Sequence, residues 1–243
     1  MNHTTLRPQK TALLVAQQIV ADIQRRGNVP GDRLPPEKAM LEQYQIGRGT
    51  LRESLRYLEL QGLISLKPGP GGGPVVEAPN GAGLATAISL LMQMENAPYR
   101  NIVEARGTLE PAMSRLAARR VSDEDLAALK DNLDRMVAGI DDSDVFAATN
   151  QEFHDLIAHS SGNSLFAHMI DALTGILDGT SIGIEYPKHR RLAVHQAHSR
   201  IYAALAAHDP TAAADSMREH IDEYTRYIEA KYPQIVEAPI SWT

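Results

Sequence analysis

The stretch from residue 33 to residue 73 constrains the fold more than any other part of this 243-residue chain. Leu34-Pro35-Pro36-Glu37 opens a short helix, with proline at a first helical position where its missing N–H costs nothing. Tyr44-Gln45-Ile46-Gly47 closes that helix. Arg48-Gly49-Thr50-Leu51-Arg52-Glu53-Ser54-Leu55-Arg56 then begins another, running to about Gln61. Leu63 to Lys67 and Pro74 to Glu77 can pair as two short strands around the glycine-rich loop Lys67-Pro68-Gly69-Pro70-Gly71-Gly72-Gly73. Helix, tight turn, basic helix and hairpin in that order is the layout of a winged helix-turn-helix, which sets one helix into the DNA major groove.

On a helical wheel Arg48, Arg52 and Arg56 form one stripe, and Leu51, Leu55 and Leu58 form another about 100° away. The leucines seat the helix while the arginines face outward. Arg48, Gly49, Thr50 and Arg52 stand at the N-terminal end, which usually touches base edges. Arginine grips guanine or phosphate with two bonds. The glycine loop allows close backbone approach to DNA, and Lys67 adds a charge at phosphate range. The competing interpretation is a solvated helix face that Arg52 and Arg56 merely decorate, with Glu53 and Glu59 nearby.

An overall charge of −6 conceals a division. Residues 1–75 carry ten Lys/Arg against six Asp/Glu, and the remainder fourteen against twenty-four. A basic head on an acidic body fits a DNA-binding unit joined to a unit with another task. The absence of cysteine excludes disulfides and thiolate metal sites. No apolar run reaches the roughly 18 residues of a membrane span, and the polar N-terminus has no signal-peptide core. A cytoplasmic protein without membrane contact is expected.

Upstream of the motif, Val15, Ile19 and Ile23 predict a helix over 11–26, ended by Gly27, with a turn over 28–32. Ala78-Pro79-Asn80-Gly81-Ala82-Gly83 is the linker. Helices are predicted over 83–95, 99–119, 122–139, 142–160, 164–178, 188–207 and 210–231, several with caps such as Gly162-Asn163 and Asp209-Pro210. Pro111 should kink its helix. The expected fold is mainly α, with a winged helix-turn-helix at 8–77, a linker at 78–83 and an antiparallel all-α bundle of six or seven helices at 84–231. Residues 232–243, with Pro233 and Pro239, read as an irregular tail.

Histidine follows the same division: His3 stands alone at the front and the other eight lie between His154 and His220. Asn150 and His154 share a helix face, His198 and His220 lie mid-helix in two others, and the four could converge on a divalent cation such as Zn²⁺, Ni²⁺, Co²⁺ or Mn²⁺. Taken singly, each histidine is more often a core or surface residue than a ligand. His159, His168, His189, His195 and His208 are read as structural or exposed, with His195 the nearest competitor for a place in the set.

Residues 8–77 resemble the winged helix of the GntR family of bacterial transcription regulators, through Gly31-Asp32-Arg33-Leu34-Pro35, Glu37, Thr50, Arg52-Glu53, Leu55, Leu58 and Gly62-Leu63. The resemblance implies DNA contacts by Lys38, Arg48, Thr50, Arg52 and the wing around Gly69. Pro36, Gly47 and Gly49 replace the family's usual Ser, Ser and Thr, so recognition should lean on the arginines. Asn150-Gln151-Glu152-Phe153-His154, Ser161-Gly162-Asn163, His198 and Met217-Arg218-Glu219-His220 resemble the FCD effector domain over residues 84–231. In many members an Asp and three His hold a metal whose shell an effector carboxylate completes. Asn150 stands where the Asp is usual, which lowers metal affinity and raises the site's positive charge. Without a metal, the same residues would bind the ligand directly. Arg106, in Glu104-Ala105-Arg106-Gly107-Thr108-Leu109-Glu110-Pro111, resembles an arginine that faces the ligand pocket; an ion pair with Glu110 is its equal alternative.

The resulting expectation is a non-enzymatic, homodimeric regulator that binds a double-stranded DNA operator and a small carboxylate effector. The alternatives are a histidine-rich metalloenzyme fused to a DNA-binding module, against which stands the lack of HExxH or a nucleophile–base pair, and an effector-independent DNA binder.

Overall fold

The computed structural model describes residues 8–69, 72–177 and 183–242. His3, the loop positions Pro70 and Gly71, and the last residue of the helix expected over 164–178 lie outside them. The chain divides into two compact units, residues 1–83 and 84–243.

In the first unit α1 (Pro8–Arg26), α2 (Glu37–Tyr44) and α3 (Arg48–Leu60) precede an antiparallel pair, β1 (Ile64–Lys67) and β2 (Gly73–Val76). Val15, Ile19, Met40, Leu51, Leu55, Leu58, Ile64 and Val76 form its core. The spacing of the leucines in α3 therefore buries one stripe and leaves Arg48, Arg52 and Arg56 outside. Asp22 ties α1 to α2 by accepting from Tyr44 Oη at 2.8 Å and from Gln43 Nε2, while Arg25 pairs with it at 2.6 Å. The turn expected over 28–32 leads into an additional pairing. Gly31 N and Leu34 N donate to the Val76 and Pro74 carbonyls, and Arg33 bridges Val75. Gly69 adopts φ +93°, and a Cβ on Gly72 would lie 2.2 Å from the Lys67 carbonyl oxygen, so the loop backbone requires glycine at both positions.

The second unit is a helical bundle: α4 (Ala82–Met94), α5 (Arg100–Arg120), α6 (Asp123–Ala138), α7 (Ser143–Ser160), α8 (Ser164–Ile176), α9 (Lys188–Ala206) and α10 (Pro210–Lys231). Ser122 caps α6 in a reciprocal box with Asp125, and Asp142, Asn163 and Asp209 accept backbone N–H groups at the starts of α7, α8 and α10. α5 runs through Pro111 as one helix. Met113, Phe153, Ile157, Ile170, Ile201 and Met217 are among the residues of the central core. The linker expectation is corrected at its end, because α4 already starts at Ala82. The irregular tail is also corrected. Tyr232 is followed by a short helix, α11 (Pro233–Val236), and Val236 and Ile240 are buried against Ile102, Val103 and Ile228. Proline begins α11 rather than breaking structure, and Ile240 N donates to the Ala97 carbonyl at 2.9 Å. No described helix is long and apolar enough to cross a membrane.

Candidate functional site

Two surfaces carry the residues singled out in the sequence. On the first unit, Arg48, Gly49, Arg52, Lys38, Lys67 and Gly69 are exposed and Thr50 is half-buried. Gly47 sits at the α3 N-cap with no side-chain bond, and the space beside Gly49 is open. Arg52 Nε lies 3.9 Å from Glu37, a contact too long and too exposed to hold the guanidinium. Arg56 differs. It donates to Glu59 Oε2 at 2.6 Å, while Glu59 Oε1 accepts from Leu66 N at 3.1 Å. Glu59 thus fastens β1 to α3 and engages Arg56, so the solvated-face alternative, which covered both arginines, describes Arg56 and not Arg52.

On the second unit, the four proposed ligands come from α7, α9 and α10. His154, His198 and His220 are buried, and one ring nitrogen from each lies within 4.8 Å of the others. Among the described residues they are the only such cluster of His, Cys, Asp or Glu. His198 stacks on Phe153 with ring centroids 3.9 Å apart. Its Nε2 lies 3.2 Å from His220 Nε2. Ligands about 2.1 Å from a shared ion would be about 3.0 Å apart in cis octahedral geometry and about 3.4 Å apart in tetrahedral geometry, so the observed gap fits a common cation. His154 and His220 line a cavity of about 620 Å³ together with Asn150 and Arg106. His195 stays outside the cluster, half-buried. His159 Nδ1 meets the Asp155 carbonyl and His208 Nδ1 the Ala118 carbonyl. Glu152 accepts from Asn132 and Arg135, away from the cluster.

Glu110 organises this centre. Its fully buried carboxylate accepts from Arg106 Nε at 2.5 Å and from His154 Nδ1 at 2.5 Å. The expected Arg106–Glu110 pair is therefore present, and Arg106 also lines the cavity. The bridge to His154 is what sequence reasoning missed. A carboxylate on the apolar face of α5 that carries Val103, Met113 and Ala117 was the available signal. Burial would push the Glu110 carboxyl up, but the Arg106 guanidinium and His154 hold it below the usual carboxylate range. An ionised carboxylate only accepts, so the His154 Nδ1 that faces it carries a proton, which leaves Nε2 as the ring nitrogen that could face a cation. Burial, then the neighbouring histidines, push His198 well below the ordinary imidazole value. Burial, then His154, bring His220 down to about 3 against the opposing pull of Glu110. These imidazoles are neutral near pH 7, the form that binds metal. His198 Nδ1 is buried without a partner.

Residues 11–72 match the gntR family of bacterial regulatory proteins, and residues 101–223 match the FCD domain. The HTH-type transcriptional regulator YcbG of Bacillus subtilis is 31% identical over 79% of this chain and 78% of its own length. LutR of the same organism is 27% identical over 86% of this chain and 96% of its own, and the repressor NanR of Salmonella schwarzengrund 25% identical over 89% and 84%. The solved Streptococcus agalactiae GntR shares the fold, with a TM-score of 0.68 and 23% identity over 88% of this chain and 99% of its own. A winged helix with an open basic face, followed by a helical unit of FCD type, makes this chain a member of the GntR family of DNA-binding transcription regulators, in the group that carries an FCD domain.

Proposed function

We propose that this protein is a homodimeric regulator whose affinity for a two-fold DNA operator is set by a small carboxylic acid bound beside a divalent cation. The observation that carries this reading is the triad of buried imidazoles, two of them on the wall of a 620 Å³ cavity. Residues 8–77 read DNA, the segment up to the start of α4 at Ala82 connects, and the helical unit binds the effector and dimerises. Asn150, His154, His198 and His220 hold Zn²⁺, Ni²⁺, Co²⁺ or Mn²⁺. When bound, the cation supplies a Lewis-acid charge with open positions for a carboxylate. The chain's own groups do the rest. Glu110 fixes the His154 tautomer and the place of Arg106, whose guanidinium faces the acid from the cavity wall. All four donors are neutral, so none of them cancels the ion's charge.

On the first unit, Arg48, Gly49, Thr50 and Arg52 meet base edges while Lys38, Lys67 and Gly69 approach phosphates. Effector and operator affinity must change each other by the same factor. The relatives named NanR are repressors by name, which supports repression here. The protein acts by binding rather than catalysis, in the cytoplasm.

The test uses the purified full chain. Elemental analysis should find about one metal equivalent per subunit, reduced in His154→Ala and in His220→Ala. Unchanged content in both overturns the ligand set. In mobility-shift titrations Arg52→Ala should abolish operator binding while its circular dichroism and metal content stay unchanged. Retained sequence-specific binding overturns the reading of α3.

A further inference from the structure

The cavity is larger than one carboxylate beside the histidines needs, and its lining goes beyond them. It includes Tyr224 and Tyr186, then Arg190 and Arg191 from the first turn of α9. Arg106 lies 5.9 Å from the Tyr224 ring, and Tyr224 and Tyr186 line the same cavity. Tyr186 lies 6.2 Å from Tyr227, over which the Arg190 guanidinium stacks at 4.3 Å. A run of three tyrosine rings thus links Arg106 to a second cationic position.

That position has the marks of an anion site. Among the described residues Arg190 Nε is buried with no hydrogen-bond partner, an unfavourable state for a charged donor. Arg191 is held by the Tyr186 carbonyl at 2.6 Å and the Ile140 carbonyl at 3.1 Å, which fixes its charge beside Arg190. Among the described residues neither arginine forms an ion pair, although Glu185 and Glu223 also line the cavity. The first turn of α9 contains no acid, and its Pro187 N-cap supplies no side-chain acceptor. Two arginines there lie at the positive end of the helix dipole, an arrangement that repels itself unless an anion joins it.

We propose that the effector carries a second anionic group, a carboxylate or a phosphate, which Arg190 and Arg191 receive while the first occupies the histidine end. This rests on the reading of the histidine end as the carboxylate-binding end. Arg190 donates from Nε and Arg191 supplies fixed charge, so the cavity selects for two acidic groups at a set separation.

Calorimetric titration of the zinc-loaded full chain tests this with matched probes: butyrate against succinate, hexanoate against adipate, and glycerate against 3-phosphoglycerate. At least one doubly anionic probe should bind roughly tenfold or more tightly than its singly anionic counterpart. The dicarboxylate and phosphate arms identify which second group is preferred. Arg190→Gln should remove that preference and leave the singly anionic affinities within about twofold. Equal binding within every pair overturns this inference and leaves the histidine end standing, as does a preference that survives in folded Arg190→Gln. Failure of every probe overturns both. The wild-type comparison needs no variant, and Arg190→Lys, which keeps the charge, should retain part of the preference.

Discussion

Replacing Glu110 with glutamine removes one negative charge from the centre of the bundle at nearly constant shape. The Arg106 and Glu110 side chains are 10% and 0% exposed, so solvent screens their pairing little. Removing one partner of a buried pair typically costs about 3–5 kcal/mol, because the other charge is left uncompensated. For a domain of this size that corresponds to a melting temperature lower by about 6–20 °C. The chemistry adds a second effect. A glutamine amide has one oxygen to accept and an NH₂ that donates, while two donors face the position, Arg106 Nε and His154 Nδ1. If the oxygen stays with Arg106, the NH₂ meets His154 Nδ1, the imidazole proton moves to Nε2, and the metal-facing lone pair is lost. Metal affinity should fall by about 10–100-fold. Competition against a chromophoric chelator, measured below the melting temperature, reads the affinity, and differential scanning calorimetry reads the stability. A folded Glu110→Gln protein with wild-type metal affinity refutes the tautomer argument. A melting temperature within about 2 °C of wild type refutes the buried-pair argument.

Ile240→Ala should destabilise the helical unit by about 2–5 kcal/mol, since the side chain is 1% exposed, and a shifted urea midpoint with unchanged slope would confirm it. A loss below about 0.5 kcal/mol would show that the C-terminal segment does not anchor the bundle. Gly49→Ala meets open space in the first turn of α3 and should stabilise the DNA-reading unit by up to about 1 kcal/mol; any stability loss contradicts the helical assignment there. Gly47→Ser gives α3 a side-chain cap and should add only a few tenths of a kcal/mol, because glycine already caps well.

The first unit was legible because its logic is local. Leucines three and four apart seat α3, prolines and glycines punctuate it, and the arginine stripe follows from the same wheel. The pairing of residues 31–34 with β2 joins segments some forty positions apart, so no local pattern marks it. Arg56 looked equivalent to Arg52 on the wheel, yet Glu59 lies three residues beyond Arg56 and engages it. In the bundle, cap residues and helical spacing located α5 to α10, while the grouping of the histidines leaned on the resemblance to the FCD domain. The spacing could not reveal that His154 turns its Nδ1 toward Glu110 on another helix, 44 residues earlier. The tail was misread because proline breaks helices in their interiors and begins them at their ends, and only packing against Ile102 and Ile228 decides between the two.

In the proposed site, Asn150 would decide how charge is balanced once a cation enters. The body of the chain is acidic, with fourteen basic against twenty-four acidic residues after position 75. Of the acids near the triad, Glu110 serves Arg106 and His154, Glu152 serves Asn132 and Arg135, and Asp155 is pushed up to about 6 by burial and then by the Asp171 charge. Three imidazoles and an amide would leave a dication uncompensated in a buried setting, which is costly unless an anion accompanies it. Metal and acid should therefore bind cooperatively, each strengthening the other by the same factor. Asn150→Asp supplies the missing charge from the protein. It should tighten the metal and weaken the acid, each by about tenfold, the scale of one charge–charge contact near a protein surface or cleft. Parallel titrations of zinc and of succinate into the zinc-loaded protein read the two effects separately. Opposite signs are required by the charge argument; a change of the same sign in both would mean that residue 150 acts through cavity shape and not through charge.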